Sequence, residues 1–162
     1  MDPTLAAAAD SFIQRCSAVD VTGVCSPETD LIAFDNKYPG LLPSWYRDLI
    51  ATKPLGDICF ETEVDGLEWG GEGHIRDAAT LLAEIEGALP DSQLAEHGYL
   101  AIGAAGDGDC WVIRSASSFS DPVFLLSFSS YGPGAPEENP GCLLPHGTSF
   151  ADFLGRLAPV SQ

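Results

Sequence analysis

The stretch that decides the fold is a hairpin in the middle of the chain, formed by Tyr99–Gly103 (YLAIG), the loop 104–109 (AAGDGD) and Cys110–Arg114 (CWVIR). Apolar, β-favouring residues flank a loop whose glycines can adopt the positive φ angles of a tight reversal. The loop carries two carboxylates and no base. Asp109 stands where the second strand begins, so its side chain can accept backbone N–H groups or face a partner.

Helical and strand patterns extend on both sides of this hairpin. Asp57–Asp65 alternates apolar and polar residues, which predicts a half-buried strand with an acidic outer face. Val123–Phe128 is apolar almost throughout, which is typical of a central strand. Turns or loops are predicted for the continuation through Gly73 and for Tyr131–Leu144. Helices are predicted over Pro3–Val19, Glu28–Lys37, Leu42–Ile50, Asp77–Leu89 and from Ser149 onward.

The length and the charge limit the possible partners. The 162 residues favour one domain, and 24 acids against 7 bases give a net charge of -17. Direct binding of nucleic acid is excluded because phosphate contacts need clustered Lys and Arg. The stretch from Asp57 to Asp109 holds 13 acids and one base, Arg76. This asymmetry favours a basic protein partner, and general solubility is the alternative interpretation.

The cysteines and the absence of long apolar runs bear on the compartment in which the protein is expected. We expect a cytoplasmic protein, because the acidic start lacks the features of a signal peptide and no apolar run could span a bilayer. An odd number of thiols in that setting predicts reduced, mostly buried cysteines and no structural disulfide. The five cysteines are Cys16, Cys25, Cys59, Cys110 and Cys142.

The hairpin loop resembles two ligand-binding motifs without satisfying either. Asp107-x-Asp109 could begin a calcium loop, but the twelfth position is Ser118 where an EF-hand needs Glu. The glycines of Gly103–Gly108 join two strands, whereas a dinucleotide fingerprint joins a strand to a helix. Turn carboxylates that bond their own backbone explain the loop better, so no cofactor is expected.

Cysteine and histidine leave one catalytic alternative open. Cys142 and His146 are four residues apart, and no second pair completes a zinc site, so no metal is expected. A nucleophile pair of Cys110 with His74 or His97 stays open, although a cysteine that begins an apolar strand is more often a small buried hydrophobe. The histidines are interpreted as solvated loop residues.

Acidic residues cluster around one tryptophan and suggest a docking surface. Trp69 is flanked by acids, as an aromatic interface anchor would be. A solvated outer face of an antiparallel sheet is the alternative interpretation, and Trp45 and Trp111 are assigned to the core. The predicted partner-binding residues are Glu61, Glu63, Asp65, Glu68, Trp69, Glu72, Asp107 and Asp109.

Four motifs occur in an order that resembles the SUKH superfamily, which includes a yeast cell-wall-assembly regulator and bacterial immunity proteins of toxin systems. The resemblance covers about Leu31 to Leu157. The motifs are Leu42-Pro43-x-x-Tyr46-x-x-Leu49, the hairpin ending Gly108-Asp109, Pro122-Val123-Phe124-Leu125, and Ser149-Phe150-x-x-Phe153-Leu154.

The resemblance implies a single-domain α+β fold in which several helices pack on a mixed or antiparallel sheet. Residues 1–30 would form a helical extension and residues 31–158 the SUKH-like domain. The implied function is that of a cytoplasmic immunity protein, a monomer or weak dimer that binds and neutralises a basic toxin domain, for example a nuclease. A regulatory adaptor without a toxin partner is the alternative. A Cys-dependent enzyme is a third, less favoured, possibility.

Overall fold

The structure is a computed structural model that describes residues 1–62, 71–87, 90–105 and 108–160. These ranges contain six α-helices and seven β-strands. In chain order they are α1 Pro3–Ser17, α2 Glu28–Lys37, α3 Ser44–Thr52, β1 Cys59–Thr62, β2 Gly71–Ile75, α4 Ala78–Gly87, α5 Asp91–Glu96, β3 Tyr99–Ala105, β4 Cys110–Arg114, β5 Val123–Leu126, β6 Leu143–Gly147, α6 Phe150–Arg156 and β7 Ala158–Pro159.

All seven strands belong to one antiparallel sheet. Their order across the sheet is β6-β5-β4-β3-β2-β1-β7, so the predicted central hairpin of β3 and β4 lies in its middle. The strand predicted for Val123–Phe128 is found as β5, which ends at Leu126 and pairs with both β4 and β6. The prediction of a single α+β domain with a sheet packed by helices is confirmed.

Local sequence explains where the helices begin. Asp77 caps α4, because its Oδ1 accepts the amide N–H of Thr80 at 2.8 Å. Ser149 caps α6 in the same way through the amide of Asp152, at 3.1 Å. The Asp152 carboxylate in turn accepts the amide of Thr148 at 2.9 Å, so this reciprocal cap reaches one residue further back than a standard capping box.

The large core lies between one face of the sheet and five helices. Aromatic rings form its centre: Phe150 contacts Tyr46 and Phe153, with centroids 5.6 and 5.5 Å apart, and Phe60 contacts Trp111 at 4.9 Å. Burial of each such ring stabilises the fold by about 1.5–3 kcal/mol. The first helix belongs to this same core, to which it contributes Leu5, Ala9, Phe12 and Cys16.

The opposite side, called here the outer face, is only partly covered. A small apolar cluster on β3, β4 and β5 packs against Leu94 of α5 and against Cys142. Tyr131 and Leu143 close the edge of this cluster. The part of the outer face formed by β1 and β2 carries the exposed Glu61 and half-buried Cys59 and His74.

Two strands begin in segments that were predicted as turn or loop and extend beyond them. Residues Gly71–Ile75 form β2, which pairs with β1. Packing requires glycine at position 73 of this strand, because its backbone lies under the ring of Trp111. Residues Leu143–Gly147 form β6, the last strand at one edge of the sheet. Pro145 is compatible with that position because an edge strand has one side that needs no backbone donor.

Candidate docking surface

The alternation predicted for Asp57–Asp65 is present in the described part of β1. Phe60 and Thr62 are buried, whereas Glu61 between them is exposed. In the register, Glu61 lies directly opposite Glu72 of β2. Like charges at directly opposed positions weaken a sheet, so fold stability does not explain why both positions are acidic.

The structure describes only part of the predicted docking set. Glu61 is exposed on the outer face, and Glu72 is placed by its backbone in β2. Asp109 is described in full. Glu63, Asp65, Glu68, Trp69 and Asp107 lie outside the described residues.

Asp109 takes the first of the two roles that the sequence allowed. Its side chain is 8% exposed, and Oδ1 accepts the amide N–H of Phe128 at 2.7 Å. Its carbonyl oxygen accepts the amide of Ala105 at 2.8 Å, which closes the hairpin. The carboxylate therefore ties the start of β4 to the turn that follows β5, and little of it is available to a partner.

Phe128 is an exposed aromatic residue at the end of the segment predicted as a strand. Its side chain is 42% exposed, and a Cβ atom built on Gly108 would lie 3.3 Å from its ring. The ring thus rests on the hairpin loop while its backbone is fixed by Asp109. The serines on both sides, Ser127 and Ser129, are the sequence signal that the apolar strand has ended.

Every Lys and Arg side chain forms an ion pair or a hydrogen bond within the protein. Six of the seven face carboxylates, and the seventh, Arg15, donates to the carbonyl oxygens of Leu154 and Leu157. The ion pairs are Lys37 with Glu86, Arg47 with Glu28 and Asp35, Lys53 with Asp10, Arg76 with Asp91, Arg114 with Glu137, and Arg156 with Asp152. Each base is therefore already paired with an acceptor of the same chain.

The geometry does not support the nucleophile pair considered for Cys110. Its thiol is buried in the small apolar cluster, and that burial raises its pKa well above the ordinary value. His74 pairs with Ala104, which in turn pairs with Cys110, so two strand spacings, about 10 Å, separate the two residues. His97 is exposed at the end of α5.

His146 is not the solvated loop residue that the sequence suggested. It lies in β6 and is buried, and its Nε2 is 3.1 Å from Oγ1 of Thr62. The ring also contacts Trp111 and Phe153, at centroid distances of 6.2 and 5.8 Å. Its role is in core packing, and Cys142 belongs to the small cluster, so the two residues do not share a site.

The described residues show neither a preformed metal centre nor a membrane span. In these ranges, no three Cys, His, Asp or Glu side chains surround a common point. Among the same residues, no helix has the length and apolar character needed to cross a bilayer. Cys16, Cys110 and Cys142 are buried, Cys59 is half-buried and Cys25 is exposed.

No family model, curated protein or solved structure matches this chain. Its function is therefore inferred from its own charges and contacts. The most informative of these are the acidic face around Glu61 and the internal pairing of all the bases.

Proposed function

We propose that the protein is a SUKH-like immunity protein of the bacterial cytoplasm, which binds and neutralises a cognate basic toxin domain. The observation that carries this proposal is the internal use of all seven bases. Arg76, the one base in the acidic stretch, is buried against Asp91. The excess negative charge is therefore left for a partner to neutralise.

The packing of the four motifs supports the resemblance on which the proposal also rests. Tyr46 of the first motif contacts Phe150 of the last, and Trp111 in the central hairpin contacts Phe60. Leu125 of the third motif lies in the same core. Motifs that are far apart in sequence thus build one core, as expected if they define a fold.

The charge suggests how such a complex would form. An acidic surface attracts a basic domain over a distance of about 8–10 Å at moderate salt, which raises the association rate. Tight binding then needs a few apolar anchors near the centre of the contact, for which Trp69 is the predicted candidate. Blocking a nuclease active site in this way requires no chemistry from the inhibitor.

The test is a binding measurement against the toxin domain encoded beside this gene, at low and high salt. Reversal of Glu61, Glu63 and Asp65 to Lys should slow association, and added salt should weaken the wild-type complex. Trp69→Ala should instead speed dissociation, with a loss of about 2 kcal/mol.

The matched control reverses three exposed acids outside the predicted docking set, Asp48, Glu96 and Glu138, and changes the net charge equally. If both triple variants slow association alike, the effect comes from net charge and the docking surface lies elsewhere. If the neighbouring gene encodes no toxin, or its product does not bind, the immunity proposal is wrong. A single cellular partner found in its place would indicate a regulatory adaptor.

A further inference from the structure

Cys59 of β1 and His74 of β2 lie directly opposite each other in the antiparallel sheet. Such residues point to the same face, with Cβ atoms about 4.5–5.5 Å apart. Because Phe60 is buried in the core, Cys59 and His74 lie on the outer face, where both are half-buried. They are 15 positions apart in sequence, so ligand-spacing patterns do not reveal this pair.

We propose that Cys59 and His74 form a binding site for Zn²⁺, completed by the carboxylate of Glu61 and by water. This set combines the sulfur, nitrogen and oxygen ligands that zinc prefers. Glu61 follows Cys59 by two residues and shares its face, which places the two Cα atoms about 6.6 Å apart. This proposal does not depend on the proposed function.

The third ligand is recruited by the ion. No three such side chains among the described residues already converge on one point. The side chain of Glu61 is exposed and can turn toward a metal held by the other two ligands without disturbing the core. The site is therefore expected to bind more weakly than a preformed structural zinc site.

The electrostatic setting suits a divalent cation. Zinc binds the neutral form of an imidazole, which is the major form of an ordinary histidine at pH 7 because its pKa is about 6.5. The charged groups that act on this imidazole are Arg76, Asp57 and Glu84, so acids outnumber bases there. When the Zn–S bond forms, the thiol of Cys59 releases its proton to solvent, and no redox step is involved.

The experiment uses the full chain, purified in reduced form, and titrates it with Zn²⁺ in competition with a chromophoric chelator. We expect one ion per chain, and at least a tenfold loss of affinity in both Cys59→Ser and His74→Gln. Co²⁺ provides a second readout, because a cobalt–thiolate bond gives a charge-transfer band that carboxylates do not give. The controls are Cys25→Ser and His97→Ala, which remove an exposed thiol and an exposed imidazole from other places.

The outcomes separate a site from adsorption to a strongly acidic protein. A thiolate band that persists in Cys25→Ser and disappears in Cys59→Ser supports the proposal. Metal binding without a thiolate band, or with the same affinity in Cys59→Ser as in the wild type, would overturn it. Thermal melting checks that each variant is folded, and Glu61→Gln, a substitution at the surface, supplies a further variant that should weaken binding without affecting the core.

Discussion

The indole ring of Trp111 lies directly over the backbone of Gly73, where no side chain fits. A Cβ atom built on Gly73 would lie 2.3 Å from Cζ3 of Trp111 and 2.9 Å from the carbonyl oxygen of Ala104. Carbon atoms in favourable contact are about 3.5–4.0 Å apart. Because Trp111 is fully buried and packed against Phe60, its ring cannot move aside without opening the core.

We predict that Gly73→Ala lowers the free energy of unfolding by about 1–3 kcal/mol, as overpacking of a dense core does. The control is Gly87→Ala at the end of α4, where an added Cβ meets nothing within 4 Å. That variant should be neutral or slightly stabilising, because alanine favours helix. Urea unfolding of both variants and the wild type measures the difference. Equal midpoints for the two variants would show that the ring does not enforce glycine at position 73.

The contact between Trp111 and Gly73 illustrates why sequence patterns predicted some elements and missed others. The helix of Glu28–Lys37 follows from local periodicity, and the hairpin that contains Gly108 follows from turn chemistry. Both were predicted and both are found. A glycine-rich segment locally indicates a turn, so β2 was not predicted. Glycine is needed at position 73 because the ring of Trp111, far along the chain, packs on its backbone. Only tertiary packing supplies that information.

In the candidate site, too, local patterns predicted some features, whereas others depend on tertiary contacts. The alternation that exposes Glu61 could be predicted, because it depends on the two-residue period of a strand. The inward position of the Asp109 carboxylate could not be chosen from sequence, since its partner is the amide of Phe128, 19 residues away. Likewise, the opposition of Cys59 and His74 depends on strand register.

Phe153 should be one of the most important residues for stability. Its side chain is 1% exposed, with Phe60 and Phe150 as ring neighbours at 6.2 and 5.5 Å. Phe153→Ala should cost about 3–5 kcal/mol, because it removes the buried surface and leaves a cavity. Phe128→Ala removes the same atoms from a ring that is 42% exposed, and should cost much less. Similar losses in chemical denaturation would contradict the described core.

Asp152 should make stability depend on pH in the acid range. The amide N–H of Thr148, and to a lesser degree Arg156, hold the pKa of its carboxyl below the ordinary value. A group with a depressed folded-state pKa stabilises the fold above its unfolded pKa of about 4, and this contribution is lost as the pH falls through the folded-state value.

Asp152→Asn should therefore be less stable than the wild type at pH 7, by about 0.5–1 kcal/mol, as is usual for a charge at a helix N-terminus. The gap should close as the pH falls below 4. The control, Asp48→Asn, removes an exposed carboxylate from the middle of α3, away from a helix end. Thermal melts of the three proteins across this pH range provide the measurement, and a gap that is constant with pH would exclude the carboxylate as its cause.

Removing one partner of the buried pair of Arg76 and Asp91 should lower the free energy of unfolding far more than replacing both partners by apolar residues. Nη1 of Arg76 donates to both carboxylate oxygens of Asp91, at 3.0 and 2.7 Å, and to the carbonyl oxygen of Ala101 at 3.1 Å. The two side chains are only 6% and 3% exposed. Arg76→Met leaves a buried carboxylate without its cation, so we expect a loss of about 3–5 kcal/mol.

The double variant Arg76→Met/Asp91→Leu should recover much of that loss, because burying two apolar groups avoids the cost of removing two charges from water. The exposed pair of Arg114 and Glu137 is the control, since both side chains are about half exposed. Arg114→Met should cost no more than about 1 kcal/mol. Urea unfolding of the three variants and the wild type measures these losses. If the double variant were as unstable as Arg76→Met alone, the guanidinium would stabilise the fold mainly through the carbonyl oxygen of Ala101, and the charge pair would be secondary.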